Sequence, residues 1–347
     1  MKKPALFSSE KFIFALKCLA VAAIMCIINF FFKGDVESLT RATLSEMYTD
    51  GPIDVLFIGA SHTYRSYDPA AIEAATGLNV YNAGSALQQM QGSYYLLQEA
   101  AENSDIDTVV LDITYTMQLL EGTGERQTVI LTDYMKNPLR RVIYAGSVLG
   151  PEGITGTIWP CLHNGVFNQE NLRHHLTGDY KKDYASIVFA EEGYHGQGYV
   201  PDYLTVPEDF TFTRATEINP AHPISDFTMK YLKKVIAYCK KHGLRLILAD
   251  PPMPDGTLVT AGHFQEYIDA VGGIAEENDL EYWEFNLAKD GLLDLDRGDF
   301  YDETHLNIYG AEKFSALVSD ILASGNTDIF YDSYAEKLEK NPDGTLE

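Results

Sequence analysis

Apolar positions along the chain fall into three patterns. The first is one long block, Phe12–Phe32, interrupted only by Lys17 and Asn29. The second is a series of short, β-branched runs at 53–58, 79–81, 108–113, 244–249 and 280–285, the first closed by Gly59 and the fourth by Asp250-Pro251-Pro252. Runs of this length with such ends predict buried strands. The third is a spacing of three and four residues, as in Leu87, Met90, Tyr94 and Leu97, which predicts a helix over 86–103. Further helices are expected at 69–76, 226–242 and 262–278, with a last one ending near Leu322. Asp68 and Ser225 are suited to cap two of them, Pro69 fits a first helical position, and Gly77 and Gly243 fit the stops. Strands alternating with helices imply βαβ units and a mainly parallel sheet, so the fold class is a three-layer α/β domain.

The alternation breaks over 116–222, which holds Gly, Pro and aromatic clusters together with His163, His174, His175 and His195. A segment of that length without strands reads as a functional insertion. Metal ligation by these histidines has no supporting spacing, so walls or substrate contacts are expected instead. Residues 33–52 read as a polar stalk and 325–347 as a loosely ordered polar tail. The domain proper is therefore 53–324.

The apolar block sets the location. Its 21 residues would span about 31 Å as a helix, enough for a bilayer core of about 30 Å. Lys17 can snorkel, and Lys2 and Lys3 favour residues 1–11 inside and the body outside. Ala20-Val21-Ala22 resembles a signal-peptidase site, but the most apolar stretch follows it, which favours an uncleaved single-pass anchor over 12–32. The formal charge of −24 argues against nucleic acid as a partner. Apolar content of 46% is ample for a core. Cys18, Cys26, Cys161 and Cys239 show no CxxC or Cys/His metal spacing, and no cofactor is implied.

The candidate chemistry lies where strands end. Ser61 follows the first strand in Ile58-Gly-Ala-Ser61, at the sheet edge where open α/β folds bind ligands. A serine there is a nucleophile if a base reaches it, and otherwise a turn residue. Asp302-Glu-Thr-His305 stands just before the last helix, at a spacing that lets the carboxylate orient the imidazole as a triad acid does. With the order Ser, Asp, His, the chain resembles the SGNH (GDSL-type) hydrolase superfamily. The resemblance covers about 53–115 and 226–322 and does not cover the insertion. It implies a flavodoxin-like SGNH fold with Ser61 as nucleophile, His305 as base and Asp302 as its orienter. Asn82-Ala-Gly84 matches the second block, which implies an oxyanion hole from the backbone N–H groups of Ser61 and Gly84. Gly84 also fits a tight turn needing positive φ. The third block departs from the pattern: Leu111-Asp-Ile-Thr-Tyr-Thr116 lacks the family's Asn. Losing such a donor costs about 10²–10³ in rate unless Thr114, Tyr115 or the insertion replaces it.

An outward-facing anchored chain with this block order resembles the SGNH-like proteins that work beside membrane-bound O-acyltransferases, of the D-alanyl transfer protein type. That resemblance implies movement of acetyl or another small acyl group on cell-surface glycans. Aromatic residues of the insertion (Tyr144, Trp159, Phe167, Tyr194, Tyr199) suit sugar rings and favour transfer over hydrolysis. An esterase of the same fold, and a weakly catalytic partner of a membrane O-acyltransferase, are the alternatives.

Overall fold

The fold is described from a computed structural model over residues 9–34, 39–163, 167–179, 193–213 and 216–340. Most of the expected inner tail, and parts of the insertion and of the C-terminal tail, lie outside the described residues. Five strands, β1 (Ile53–Gly59), β2 (Val80–Gly84), β3 (Ile106–Asp112), β4 (Arg245–Asp250) and β5 (Glu281–Glu284), form one parallel sheet in the order β2-β1-β3-β4-β5. The apolar runs are continuous because both faces are covered, and the two-residue period sorts them. Leu56, Ile58, Val109, Leu111, Leu246 and Leu248 face one core; Val55, Phe57, Val110, Ile247 and Ala249 face the other.

The helices follow in chain order. α1 (Ser9–Phe32) is the apolar block; none of its most apolar stretch is buried. α2 (Leu39–Met47) lies in the segment expected to be a polar stalk. It is instead part of the fold, with Ala42, Leu44 and Met47 buried, because its apolar positions recur at helical spacing. α3 (Ser61–Ser66) is the short turn of helix after β1, and α4 (Pro69–Thr76) is capped by Asp68, whose Oδ1 accepts from the Ala71 N–H, and stopped by Gly77 at φ +75°. α5 (Met90–Asn103) begins four residues later than the periodicity predicts. Leu87 sits in the preceding loop at φ +52°, half exposed, so it does not belong to the helical stripe.

The described part of the insertion is largely helical up to Thr177. It carries α6 (Tyr115–Gln118), α7 (Glu125–Thr132), α8 (Pro138–Ile158) and α9 (Gln169–Thr177). α8 folds back at Gly150 (φ +62°), and its arms meet at glycines: a Cβ on Gly153 would lie 2.4 Å from the Ala145 carbonyl oxygen. Order then returns to the sheet with α10 (Asp226–His242), α11 (Asp255–Ala261), α12 (Phe264–Asn278) and α13 (Ile308–Ser324). α5, α10 and α12 cover one face, and α4 and α13 the other. The layers are held mainly by burial: each fully enclosed Leu, Ile or Phe contributes roughly 1.5–3 kcal/mol. The tail is partly packed too. α14 (Tyr334–Lys340) buries Tyr334, and Lys337 pairs with Asp255 at 2.5 Å.

Candidate active site

β1 is where the strand order reverses direction, with β2 on one side and β3 on the other, so its carboxyl end opens at the switch point of the sheet. Ser61 is the first residue of α3 there. Its turn is built on close approach. A Cβ on Gly59 would lie 2.2 Å from Asp112 Cβ and 2.3 Å from Thr63 Oγ1. Glycine at this position therefore lets the end of β3 come underneath. Asp112 Oδ2 accepts from the Ala60 N–H (3.1 Å) and the Thr63 hydroxyl (3.0 Å), while Oδ1 accepts from the N–H and hydroxyl of Thr114 (2.8 and 2.6 Å). Burial raises the Asp112 carboxyl's pKa, and the four donors only partly offset it. Asp112 is thus a buried clamp on the serine turn. Sequence reasoning saw at this place only the missing Asn. The available signal was a carboxylate ending an otherwise apolar strand at the switch point.

The structure brings Ser61, His305 and Asp302 together across 244 residues of sequence. Ser61 Oγ lies 2.7 Å from His305 Nε2, and His305 Nδ1 lies 2.9 Å from both Asp302 oxygens. The 302–305 segment is a tight turn: Asp302 Oδ1 accepts from the backbone N–H groups of Thr304 and His305, both at 2.8 Å, and the Tyr301 N–H donates to the His305 carbonyl at 2.9 Å. Burial acts to raise the Asp302 pKa. The hydrogen bond and charge of His305, with the two backbone N–H groups, outweigh it and hold the carboxyl below the usual carboxylate range. The His305 and Asp302 side chains remain 17% and 29% exposed, so the group is open to small molecules.

His62 lies behind this line. Its ring is buried and stacks on His305 with centroids 4.4 Å apart and planes 17° from parallel. Burial, then the neighbouring His305, push its pKa well below the ordinary value, so it remains a neutral plate. A segment of the insertion, 193–213, straps this edge. Gly198, at φ +79°, passes so close that a Cβ would lie 1.7 Å from the Asn82 carbonyl oxygen. Asp202 pairs with Arg65 of α3 at 2.7 Å and accepts at its carbonyl from the Ile308 N–H. Arg65 also lies 4.8 Å over the Tyr301 ring, which joins strap, serine turn and histidine turn.

The expected oxyanion donors fare differently. The Ser61 N–H, in the first turn of a helix, has no intrahelical acceptor. The Gly84 N–H instead donates to Asn82 Oδ1 at 3.2 Å. Nor is Gly84 in a positive-φ turn. It ends β2, and its lack of a side chain serves close packing, since a Cβ would lie 3.0 Å from the Ala60 carbonyl oxygen. Asn82, whose Nδ2 donates to the Thr63 and Tyr67 carbonyls, fixes the same turn. Thr114 is fully buried with its N–H and hydroxyl both spent on Asp112, and Tyr115 is fully buried against Phe264 and Tyr267. Neither is a replacement donor at an open site.

The insertion's aromatic residues also differ from expectation. Tyr144, Tyr194 and Tyr199 are core residues, at most 2% exposed, and present no ring to a sugar. The histidines are dispersed. His163 bonds Asp133, His195 meets the Tyr203 hydroxyl, and His174 and His175 lie on α9.

Beside Asp112, the next two strands also end in buried acids, Asp250 and Glu284. Burial, then the charges of Glu284 and Asp112, raise the Asp250 pKa well above its ordinary value; burial raises that of Glu284 to about 7. Unfolded, such groups ionise near pH 4. Between about pH 4 and 7 the folded chain therefore binds more protons than the unfolded chain, and stability falls as pH rises. Asp250→Asn removes one of these groups. Its melting temperature is expected to decline less between pH 5 and pH 8 than that of the wild-type chain in the same detergent. Equal declines would show that Asp250 is already ionised in the folded state.

No known family model matches the chain, and no curated protein does. Solved structures similar to it include a protein described as lipolytic, of the G-D-S-L family, from Desulfitobacterium hafniense DCB-2, at 12% identity over 77% of this chain and 98% of that one, with a TM-score of 0.35. A protein described as an acylhydrolase, from Bacteroides fragilis NCTC 9343, is similar at 10% identity over 84% and 99%, TM-score 0.40. A GDSL-like lipase from Bacteroides thetaiotaomicron VPI-5482 is similar at 11% identity over 82% and 100%, TM-score 0.39. Likeness at this level says nothing about chemistry, which must come from the side chains.

Proposed function

We propose that this chain is a membrane-anchored enzyme of SGNH type that works on small acyl esters through a Ser61 ester, removing acyl groups from cell-surface glycans. The observation that carries the chemistry is the unbroken line from Ser61 Oγ to His305 Nε2 and from His305 Nδ1 to Asp302. His305 Nε2 takes the Ser61 proton as Oγ attacks the acyl carbon. Asp302 keeps the other imidazole proton on Nδ1 and stabilises the imidazolium that forms. The Ser61 N–H receives the developing oxyanion. His305 then returns its proton to the leaving alkoxide. Water, deprotonated by the same imidazole, attacks the Ser61 ester; the bond to Oγ breaks, His305 returns the proton to Oγ, and the acid leaves.

Removal rather than transfer is favoured because three of the five aromatic residues expected to hold an acceptor sugar are in the core. The anchor and orientation rest on α1, which is long and apolar enough either to cross a membrane or to act as a signal sequence, together with Lys2 and Lys3 ahead of it. The test follows the acetyl-enzyme formed by the full chain in detergent from an activated acetyl ester, with and without oligosaccharide acceptors. Acetate is expected as the product in both cases, together with release of acetate from acetylated glycan. Diversion of acetyl onto the oligosaccharide would make the protein a transferase. No acetyl-enzyme at all would leave the role of a positioning partner for a membrane acyltransferase.

A further inference from the structure

The second arm of α8 and the segment after it expose large apolar side chains among the described residues. Ile154, Ile158, Leu162, Phe167 and Leu176 are 38%, 54%, 52%, 71% and 68% exposed. They are not scattered. All lie on α8, on the 3₁₀ turn Pro160–Leu162 or at α9, and these last two elements pack on the outer end of α1. The joint is specific. Asn29, the polar exception in the apolar block, accepts from the Cys161 N–H at 3.2 Å through its side-chain oxygen. The Asn171 side-chain amide donates to the Phe32 carbonyl at 3.3 Å. The Phe32 ring meets Phe167 at 5.3 Å, and Phe30 meets His175 at 4.8 Å.

This joint sets a height. The apolar part of α1, 12–32, is about 31 Å long against a bilayer core of about 30 Å, so its last turn lies at the outer boundary of that core, against the headgroups. Whatever is bonded to Asn29 and Phe32 lies at that same level. Partly exposed Trp159 stands between Ile158 and Pro160, the kind of side chain that settles at such interfaces. We propose that this face, carried by Ile154, Ile158, Leu162, Phe167 and Leu176, is seated in the outer surface of the lipid bilayer as a second membrane contact beside α1. The proposal rests on α1 spanning the membrane. The occupant is lipid because the face is continuous with a helix whose own apolar surface is unburied. With a net charge of −24 the body gains nothing from anionic headgroups, so insertion is apolar and zwitterionic lipid suffices.

The test uses the full chain in phosphatidylcholine vesicles with or without brominated acyl chains. Of its two tryptophans, Trp283 is 1% exposed within the sheet, so bromolipid quenching reports Trp159. Bromolipid is expected to quench part of the emission, and Ile158→Glu combined with Leu176→Glu is expected to lose most of that quenching at an unchanged melting temperature, both sites being exposed. Carbonate washing separates the two claims. A chain that resists extraction but shows no bromolipid quenching keeps its anchor and overturns the seated face, leaving a protein partner as what covers it. Quenching that persists in the double variant overturns it equally. A chain that carbonate removes fails the anchor reading itself, and the seated face falls with it.

Discussion

Ser61→Ala is expected to lower kcat on an activated acyl ester by about 10⁶, the scale of losing a triad nucleophile. The substitution removes the proposed ester-forming atom and leaves nearly everything else in place. The turn is held by Asp112, Gly59 and Asn82, none of which bonds the Ser61 hydroxyl. Stability should therefore stay within about 1 kcal/mol of wild type. Measuring kcat alongside melting temperature separates chemistry from folding. Wild-type turnover in the variant would remove Ser61 from the mechanism, whatever the distances.

Asp302→Asn is expected to cost about 10⁴ in kcat. An asparagine oxygen can still accept from the Thr304 and His305 N–H groups that shape the turn. What changes is the partner of Nδ1, which no longer holds the imidazole tautomer that leaves Nε2 facing Ser61 as a base. The variant has a second signature. The folded Asp302 carboxyl sits below its unfolded value, so its contribution to stability is present above about pH 4 and is lost as pH falls through and below that range. The stability gap between wild type and variant should therefore close on acidification. A gap that widens towards low pH would mean that Asp302 is not the ionised partner of His305.

The sheet was legible because a strand buried on both faces writes itself as an apolar run, and because Asp68, Gly77, Ser225 and Gly243 mark helix ends with chemistry local to the chain. Ser61 and the Asp302–His305 pair were legible for a related reason: both fall where an element ends, and their spacing is local. What depends on distant contacts was not legible. Nothing local shows that Asp112 reaches under a glycine to hold another strand's turn, or that the strap at Gly198 passes against Asn82. Aromatic content misled as well. Tyr144 and Tyr194 look like ligand faces in a segment without strands, yet Tyr144 joins the main core beneath the sheet, stacked on Tyr95 of α5, and Tyr194 is buried with Ala42 of α2 and bonded to Glu46.

Six residues separate the last residue of α1 from the first of α2. Even fully extended, the chain from Phe32 to Leu39 reaches only about 25 Å, and α2 is fixed in the domain by Leu44 and Met47. With α1 in a bilayer, the domain is a short-leashed body that cannot sweep the envelope. Its kinetics would then follow two-dimensional rules. Turnover would scale with the number of acyl esters per unit of membrane area at one height, and dilution of the cells would leave it unchanged. Polymer that grows beyond that height would escape the enzyme, so acyl content would differ between the membrane-proximal and distal parts of a single glycan chain.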